Sequence, residues 1–247
     1  MNITRLAASV LLGTLLPSVA GVAAAHAASS CNDVGGNIQS GNVCHAQTIT
    51  PAYIIDLRFG TDYPDDAAVS AYLIGERDHL IALAQAPGAQ NLPYSISTMW
   101  ENYSSGQPKR TTVGPHTNAI PSNPPHGTYS LLLKVMIDNV NGAVGQRYKA
   151  FNFDYDQNRP ITLDNLFAPG INPLDAIYPV LAADLKRQYT IRGLAVPATP
   201  PPARMFRNFV ITDDALSFSF DSGDIMPLFI GGVTSTISRA KLPPLAL

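Results

Sequence analysis

Apolar side chains recur along the chain with a period of two in several segments that predict strands. Residues 52–59 combine an apolar run with alternation, and residues 94–103 alternate around the only tryptophan, Trp100. Residues 128–137 and 146–155 form two further strand candidates, and the segment between them is rich in turn-forming residues. The pattern therefore predicts at least four strands, the last two of them paired as a hairpin.

Two other segments have the spacing and the starting residues of helices. Residues 64–86 open with a proline and two aspartates and then repeat apolar residues at helical intervals. Residues 172–189 open with an asparagine and a proline and contain Pro179, so we expect a kink or a restart there. The sequence predicts two helices.

The remaining chain predicts a second hairpin, formed by residues 209–212 and 215–221, and a last strand at residues 233–238. Strands that mostly follow one another, together with two separate helices, are typical of the α+β class. We therefore expect a single α+β domain with a mostly antiparallel or mixed sheet and two helices.

The first 27 residues have the organisation of an export signal. Arg5 is their only charged residue, an uncharged apolar stretch follows, and Ala25-His26-Ala27 is a small-x-small site for signal peptidase. Prolines, glycines and alanines dilute the stretch and no charged stop follows it, which argues against a membrane anchor. The sequence predicts a cleaved signal peptide at residues 1–27 and one secreted domain at residues 28–247.

Cys31 and Cys44 are the only cysteines, and they bracket a glycine-rich segment. In an oxidising compartment such a pair predicts a disulfide that closes a flexible loop. A metal or catalytic thiol site would favour C-x-x-C spacing, which is absent. Acylation of Cys31 is disfavoured because Ala28 stands where a lipoprotein signal normally has leucine.

Charge and composition exclude some classes of partner. Charged residues make up 14% of the chain, hydrophobic residues 46%, and the formal net charge is −2. This balance predicts a folded protein and gives no electrostatic reason to bind nucleic acid or an anionic membrane. We expect neither a nucleic-acid partner nor stable membrane insertion.

Several short motifs occur in an order and spacing that resemble a known family. They are the paired cysteines, Pro51-Ala52-Tyr53, Tyr63-Pro64-Asp65, Arg77-Asp78, Tyr148-Lys149-Ala150-Phe151, Pro160-Ile161-Thr162, the helix with Pro173 and Pro179, and residues 208–224. The chain resembles the secreted immunogenic antigens of mycobacteria, whose C-terminal part is similar to the ectodomain of a lysozyme-sensing anti-sigma factor. The resemblance implies a β-grasp-like α+β fold and release from the cell. It implies no single chemistry, since esterase activity is attributed to some relatives and glycan-hydrolase binding to the anti-sigma-factor branch.

Nucleophilic chemistry has no clear local signature. The G-x-S-x-G motif of serine esterases is absent, and the nearest small-residue contexts are those of Ser222 and Ser105. A base could come from His79, His116 or His126. Turn formation, a helix end and a proline-rich loop account for these residues without catalysis, so the catalytic residues stay unknown at this point.

The sequence predicts no metal site and no cofactor. Glu76 and His79 have the E-x-x-H spacing of half a di-iron site, but the chain has only one other glutamate, Glu101. Residues 154–158 begin like a calcium loop, but Arg159 stands where glycine is needed. Four aspartates could still gather around a cation or act as an acid/base pair, although solvated hairpin ends explain them as well: Asp213, Asp214, Asp221 and Asp224.

Two groups of residues are candidates for binding a partner. Phe151, Phe153 and Tyr155 share one face of a predicted strand and belong to the core or, if exposed, to a patch for a glycan or a protein. Lys109 and Arg110 lie in a proline-rich loop, residues 104–127, which we expect to be a mobile surface segment beside such a patch.

With no catalytic motif, the favoured hypothesis is a secreted antigen-like protein that acts by binding an extracellular protein or a cell-envelope glycan. The alternative is a secreted carboxylesterase with a non-standard serine site. A serine within reach of a histidine that a carboxylate orients would favour the esterase.

The predicted signal peptide is tested by the mass of the exported protein. The mature chain is expected to begin at Ala28, because small residues at positions 25 and 27 suit signal peptidase. Intact-mass measurement on culture medium checks this. A mass that retains residues 1–27, or one that includes a diacylglycerol on Cys31, contradicts it.

Overall fold

The structure, a computed structural model, describes residues 30–89, 93–106, 125–140, 143–197 and 199–247. The predicted signal peptide, residues 1–27, lies outside these ranges. Within them the chain folds into a seven-stranded sheet, a three-stranded sheet and two long helices. The prediction of a single α+β domain with a mostly antiparallel or mixed sheet and two helices is confirmed, and residues 30–34 add a short helical segment. In the described part of the chain, no helix combines the length and apolar character needed to span a bilayer.

The larger sheet has seven strands that lie side by side in their order along the chain. They are β1 (Asn37–Gln39), β2 (Val43–Ile49), β3 (Tyr53–Gly60), β4 (Tyr94–Ser105), β5 (Thr128–Val140), β6 (Ala143–Asp154) and β7 (Arg159–Pro160). Neighbours pair antiparallel except β3 and β4, which are parallel. Parallel neighbours need a crossover, and helix α1 (Asp66–Ala84) supplies it.

Helix α1 covers one face of this sheet. Its start is set by Asp65, whose side chain accepts the backbone N–H of Ala68 at 3.1 Å. The buried helix residues Val69, Leu73 and Leu80 belong to one core cluster together with the inward-facing side chains of β2 to β6. Apolar residues at helical spacing on α1 and apolar residues that alternate along the strands therefore face each other and form the first core.

The smaller sheet and helix α2 (Pro173–Ile191) form a second core cluster. Its strands are β8 (Phe209–Ile211), β9 (Ala215–Phe220) and β10 (Val233–Ser238), so the predicted second hairpin and last strand are confirmed. Helix α2 runs through Pro179 without a restart. A proline inside a helix costs about 3 kcal/mol. Leu181 and Leu185 follow Pro179 in the helix and are buried. The burial of each side chain stabilises the fold by roughly 1.5–3 kcal/mol, which offsets the cost of the proline.

The two sheets are joined through buried polar contacts at β8. The N–H of Ile211 donates to the hydroxyl of Ser130 on β5 at 3.1 Å. The side-chain amide of Asn152 on β6 donates to the carbonyl of Phe209 at 2.9 Å. Each bond satisfies a backbone group that would otherwise be buried without a partner.

The segment between the two cysteines, which the sequence predicts to be a flexible loop, contains a short hairpin. β1 and β2 pair antiparallel around a three-residue turn in which Gly41 and Asn42 have φ of 79° and 56°. Glycine and asparagine tolerate this left-handed backbone, which is why the turn forms there. The expected disulfide is present, and both Cys31 and Cys44 are fully buried.

The proline-rich segment is flanked by longer strands than expected. β4 continues to Ser105 and β5 begins at Thr128, where the two strands pair as neighbours. Most of the predicted loop, residues 107–124, lies outside the described residues.

Replacing both cysteines by serine is expected to lower the free energy of unfolding by roughly 3 kcal/mol, the effect of closing a loop this short. At about 2–4 °C per kcal/mol for a domain of this size, the melting temperature falls by several degrees. Thermal unfolding of the variant, with reduced wild type as control, checks this. Thiols that titrate in the native protein, or an unchanged melting temperature, contradict it.

Candidate functional site

The outer edge of β6 is covered by side chains from the loop after β9. The N–H of Gln146 donates to Ser222 Oγ at 3.1 Å, and the Ser222 N–H donates back to the Gln146 carbonyl at 2.8 Å. Two residues along, the N–H of Tyr148 donates to Asp221 Oδ1 at 2.7 Å. An exposed strand edge presents unpaired backbone groups, and here polar side chains satisfy them.

Asn208, just before β8, continues this coverage. Its amide nitrogen donates to the Tyr148 carbonyl at 2.8 Å, and its amide oxygen accepts the N–H of Ala150 at 3.3 Å. One asparagine side chain therefore takes the place of a strand neighbour. Together with Asp221 and Ser222 it locks the second sheet to the first.

A cavity of about 320 Å³ lies beside this joint, between α1, the start of β6 and the loop after β9. A volume of this size is typical of small-molecule sites. Its lining combines apolar side chains with four of the titratable groups that the sequence singled out, Glu76, His79, Asp221 and Asp224. The lining residues are Glu76, His79, Leu80, Leu83, Ile96, Ile137, Gly145, Gln146, Arg147, Asp221, Ser222 and Asp224.

Ser222 and His79 come from opposite parts of the sequence and line the same cavity. Ser222 Oγ accepts a hydrogen bond from the backbone of Gln146, which fixes the oxygen and leaves the hydroxyl proton for another acceptor. His79 is an exposed residue of α1, one turn along from Glu76. The cavity therefore holds a positioned hydroxyl and an accessible imidazole.

The cavity is rich in carboxylates, with one arginine among them. Arg147 Nη1 and Glu76 Oε2 form an ion pair at 3.2 Å. Burial is the main cause that raises the pKa of the nearby Tyr72 hydroxyl, and the negative charge of the Glu76 carboxylate is the second cause. Burial also raises the pKa of Asp221, and the neighbouring Asp224 adds to the shift. Carboxyls with a raised pKa in a cavity are typical of functional sites.

Gly223 follows the serine and adopts a φ of 86°, which disfavours a side chain there. Within the described part of the chain, its N–H donates no hydrogen bond. In serine esterases the N–H after the nucleophile commonly stabilises the oxyanion. The backbone at Gly223 therefore supplies a donor next to the serine.

The other residues considered for nucleophilic catalysis lie elsewhere. Ser105 is buried and accepts a hydrogen bond from Arg239 Nη1 at 2.9 Å. His126 is exposed and is not part of the cavity lining. His116 lies outside the described residues. Of the candidates that the structure describes, only Ser222 and His79 line the same cavity.

His45 on β2 is not among the bases that the sequence suggests, and it contacts a carboxylate directly. Its Nε2 lies 2.9 Å from Asp56 Oδ1, and its Nδ1 lies 2.9 Å from the side-chain nitrogen of Gln39. Arg58 also pairs with Asp56 at 3.1 Å. Both ring nitrogens are engaged, so neither is available to a serine, and the pair cross-links β1, β2 and β3.

The candidate binding residues are only partly described. Phe153 is buried, and Phe151 and Tyr155 are half-buried rings that pack against the first core. Phe151 lies 5.8 Å from Tyr63 between ring centroids. The three rings therefore belong to an aromatic cluster under α1 and do not form an exposed patch. Lys109 and Arg110 lie outside the described residues.

Full-length sequence comparison finds relatives among mycobacterial proteins. The esterase Rv3036c of Mycobacterium tuberculosis is 36% identical over 242 residues, which covers 98% of this chain and 98% of that protein. Immunogenic protein MPT64 of M. tuberculosis and immunogenic protein MPB64 of Mycobacterium bovis are each 26% identical over 233 residues, covering 94% of this chain and 95% of theirs.

The profile of a family described as "Protein of unknown function (DUF3298)" matches residues 164–240. Solved structures of two proteins of that family are similar. One from Pseudomonas aeruginosa has a TM-score of 0.47, 13% identity, and covers 81% of this chain and 91% of its own. One from Bacteroides fragilis has a TM-score of 0.43, 12% identity, and covers 83% and 92%.

The favoured sequence hypothesis, a secreted antigen-like protein that acts by binding an extracellular or cell-envelope partner, is wrong. A relative that matches nearly the whole chain at 36% identity is named an esterase, which favours the alternative. The local sequence misled because Ser222 follows Asp221 and precedes Gly223, a combination typical of turns. Its surroundings form only when α1 and β6 pack beside it.

Two substitutions at Asp221 separate its structural from its ionic role. Asp221→Ala removes the acceptor of the Tyr148 N–H and is expected to lower the free energy of unfolding by about 1–3 kcal/mol. Asp221→Asn keeps an oxygen there and serves as the matched control. Urea unfolding measures both, and equal losses in the two variants contradict the edge-covering role.

The same control variant reports the pKa of Asp221. A carboxyl whose folded pKa is raised stabilises the fold fully only while protonated, and this contribution is lost as the pH rises through the folded pKa. The stability of Asp221→Asn relative to wild type should therefore increase from about pH 3 to neutral pH. A constant difference across this range contradicts a raised pKa.

Proposed function

The chain belongs to the family of the mycobacterial esterase Rv3036c, and from this premise we propose that it is a carboxylic ester hydrolase. The supporting observation is the cavity beside the β6 edge, whose lining includes Ser222, His79, three carboxylates and Arg147. We assign Ser222 as the nucleophile and His79 as the general base.

In this mechanism, Ser222 Oγ attacks the ester carbonyl carbon while its proton passes to the imidazole of His79. The tetrahedral intermediate collapses by breaking the bond to the alcohol oxygen, which leaves with the proton from His79. A water molecule then attacks the acyl-serine and gives its proton to His79. Collapse of the second intermediate returns the proton to Ser222 and releases the carboxylic acid.

The surrounding groups suit the charges that develop. The carboxylates of Glu76, Asp221 and Asp224 line the cavity and favour the imidazolium that His79 becomes in each step. The N–H of Gly223 is placed in sequence to donate to the oxyanion that forms on the carbonyl oxygen. The hydrogen bond from Gln146 restricts the serine oxygen, which lowers the entropic cost of positioning it.

We also propose that the enzyme works outside the cell. Residues 1–27 have the pattern of a cleaved signal peptide, and the buried Cys31–Cys44 disulfide suits an oxidising compartment. An exported esterase acts on esters of the environment or of the cell envelope.

Ser222→Ala and His79→Ala are each expected to lower kcat/KM for p-nitrophenyl esters by about a thousandfold or more, because either change removes one member of a unit that acts together. Initial rates on the purified mature protein measure this. Ser217→Ala and His126→Gln are matched controls, since both residues are absent from the cavity lining.

The outcomes separate the function from the site. Full activity in Ser222→Ala would reject this serine as the nucleophile while leaving an esterase in place. Wild-type protein that hydrolyses no ester of any chain length would reject the proposed function itself. Melting temperatures of all four variants distinguish lost chemistry from lost folding, since the serine oxygen also accepts the Gln146 N–H.

A further inference from the structure

A second cavity, of about 350 Å³, lies between helix α2 and the proline-rich segment before β8. Its lining is largely apolar, in contrast to the carboxylate-rich first cavity. The residues are Tyr178, Ala182, Leu185, Lys186, Tyr189, Val196, Pro197, Thr199, Pro200, Pro201, Pro202, Met205, Asp224 and Ile225. We call it the proline groove.

The proline groove adjoins the Ser222 cavity. Asp224 lines both cavities, whereas the next residue, Ile225, lines only the groove. The chain therefore passes from the proposed nucleophile into the groove wall within three residues. Asp224 is therefore the shared boundary between the Ser222 cavity and the largely apolar groove.

The walls of the groove are formed before any ligand arrives. On one side Leu185 and Tyr189 are buried residues of α2 that belong to the second core. On the other side Pro197 and residues 200–202 have φ angles restricted by their rings. A preformed apolar channel avoids the ordering cost that a flexible one would incur on binding.

We propose that the proline groove binds the unbranched aliphatic chain of the ester substrate. This inference rests on the proposed function, with the ester carbonyl at Ser222 and the chain running past Asp224. Most lining side chains offer only carbon surface, which suits methylene groups. The Ser222 cavity supplies the chemistry and the groove supplies the chain-length preference.

The first test is the dependence of kcat/KM on chain length. Each methylene that enters the groove is expected to raise kcat/KM by about three- to fourfold until the groove is filled. A series of p-nitrophenyl alkanoates varies the acyl side of the ester, and a series of alkyl acetates varies the alcohol side. The series that shows the increase identifies which side occupies the groove, and no increase in either series overturns the proposal.

Ala182→Phe places a ring in the groove from helix α2, and Ala183→Phe is the matched control at the exposed neighbouring position. The first variant is expected to reduce the ratio of kcat/KM for long over short esters at least tenfold, and the control to keep it. If Ala182→Phe does not fold, Val196→Asp is the second variant, because it introduces a charge at a groove position that is 47% exposed. Its control is Ile191→Asp, at a position that is 73% exposed and outside the lining. A ratio that stays constant in the groove variants overturns the assignment.

A binding measurement separates this inference from the proposed function. In the Ser222→Ala protein labelled at its methionine methyl groups, titration with 1-octanol is expected to shift the signal of Met205, which Met205→Leu identifies. A shift that Ala182→Phe abolishes supports the groove even if no ester is hydrolysed by the wild type. Ester hydrolysis without any shift at Met205 overturns the groove and leaves the esterase.

Discussion

The edge of strand β6 that, among the described residues, has no strand neighbour over most of its length is the constraint on which this structure depends. In the part of the chain that the structure describes, no strand pairs with this edge over residues 146–150, and its backbone groups would otherwise be left unsatisfied at a joint between two sheets. Asn208, Asp221 and Ser222 bond to them directly. A small number of side chains thereby decides how the three-stranded sheet sits against the seven-stranded one.

The same hydrogen bonds prepare the candidate site. Ser222 cannot cover the edge without placing its oxygen at the wall of the cavity, and Asp221 cannot accept the Tyr148 N–H without being partly buried. Burial is what raises the pKa of that carboxyl. Stability and chemistry are therefore coupled here, since the groups that join the two sheets also line the cavity.

The loop after β9 also separates two environments. Residues 221 and 222 face a cavity with carboxylates and an arginine, whereas Ile225 faces the apolar proline groove, and Asp224 borders both. A polar reaction centre beside an apolar channel suits a substrate with one reactive polar bond and a hydrocarbon part. In contrast, the buried ring of Phe153 and the half-buried rings of Phe151 and Tyr155 pack against the first core.

Local patterns determined most of the fold: the alternation in β4 to β6, the helical spacing after Asp65 and the pairing of the only two cysteines all follow from neighbouring residues. The hairpin around Gly41 does not follow from the pattern, because β1 has only three residues and shows no period. The sequence named Ser222 and His79 among several candidates but could not bring them together, since Ser222 has the local chemistry of a turn and His79 that of an exposed helix residue. Only the tertiary structure placed both residues in one cavity, because this depends on how α1 and the loop after β9 pack around the first residues of β6.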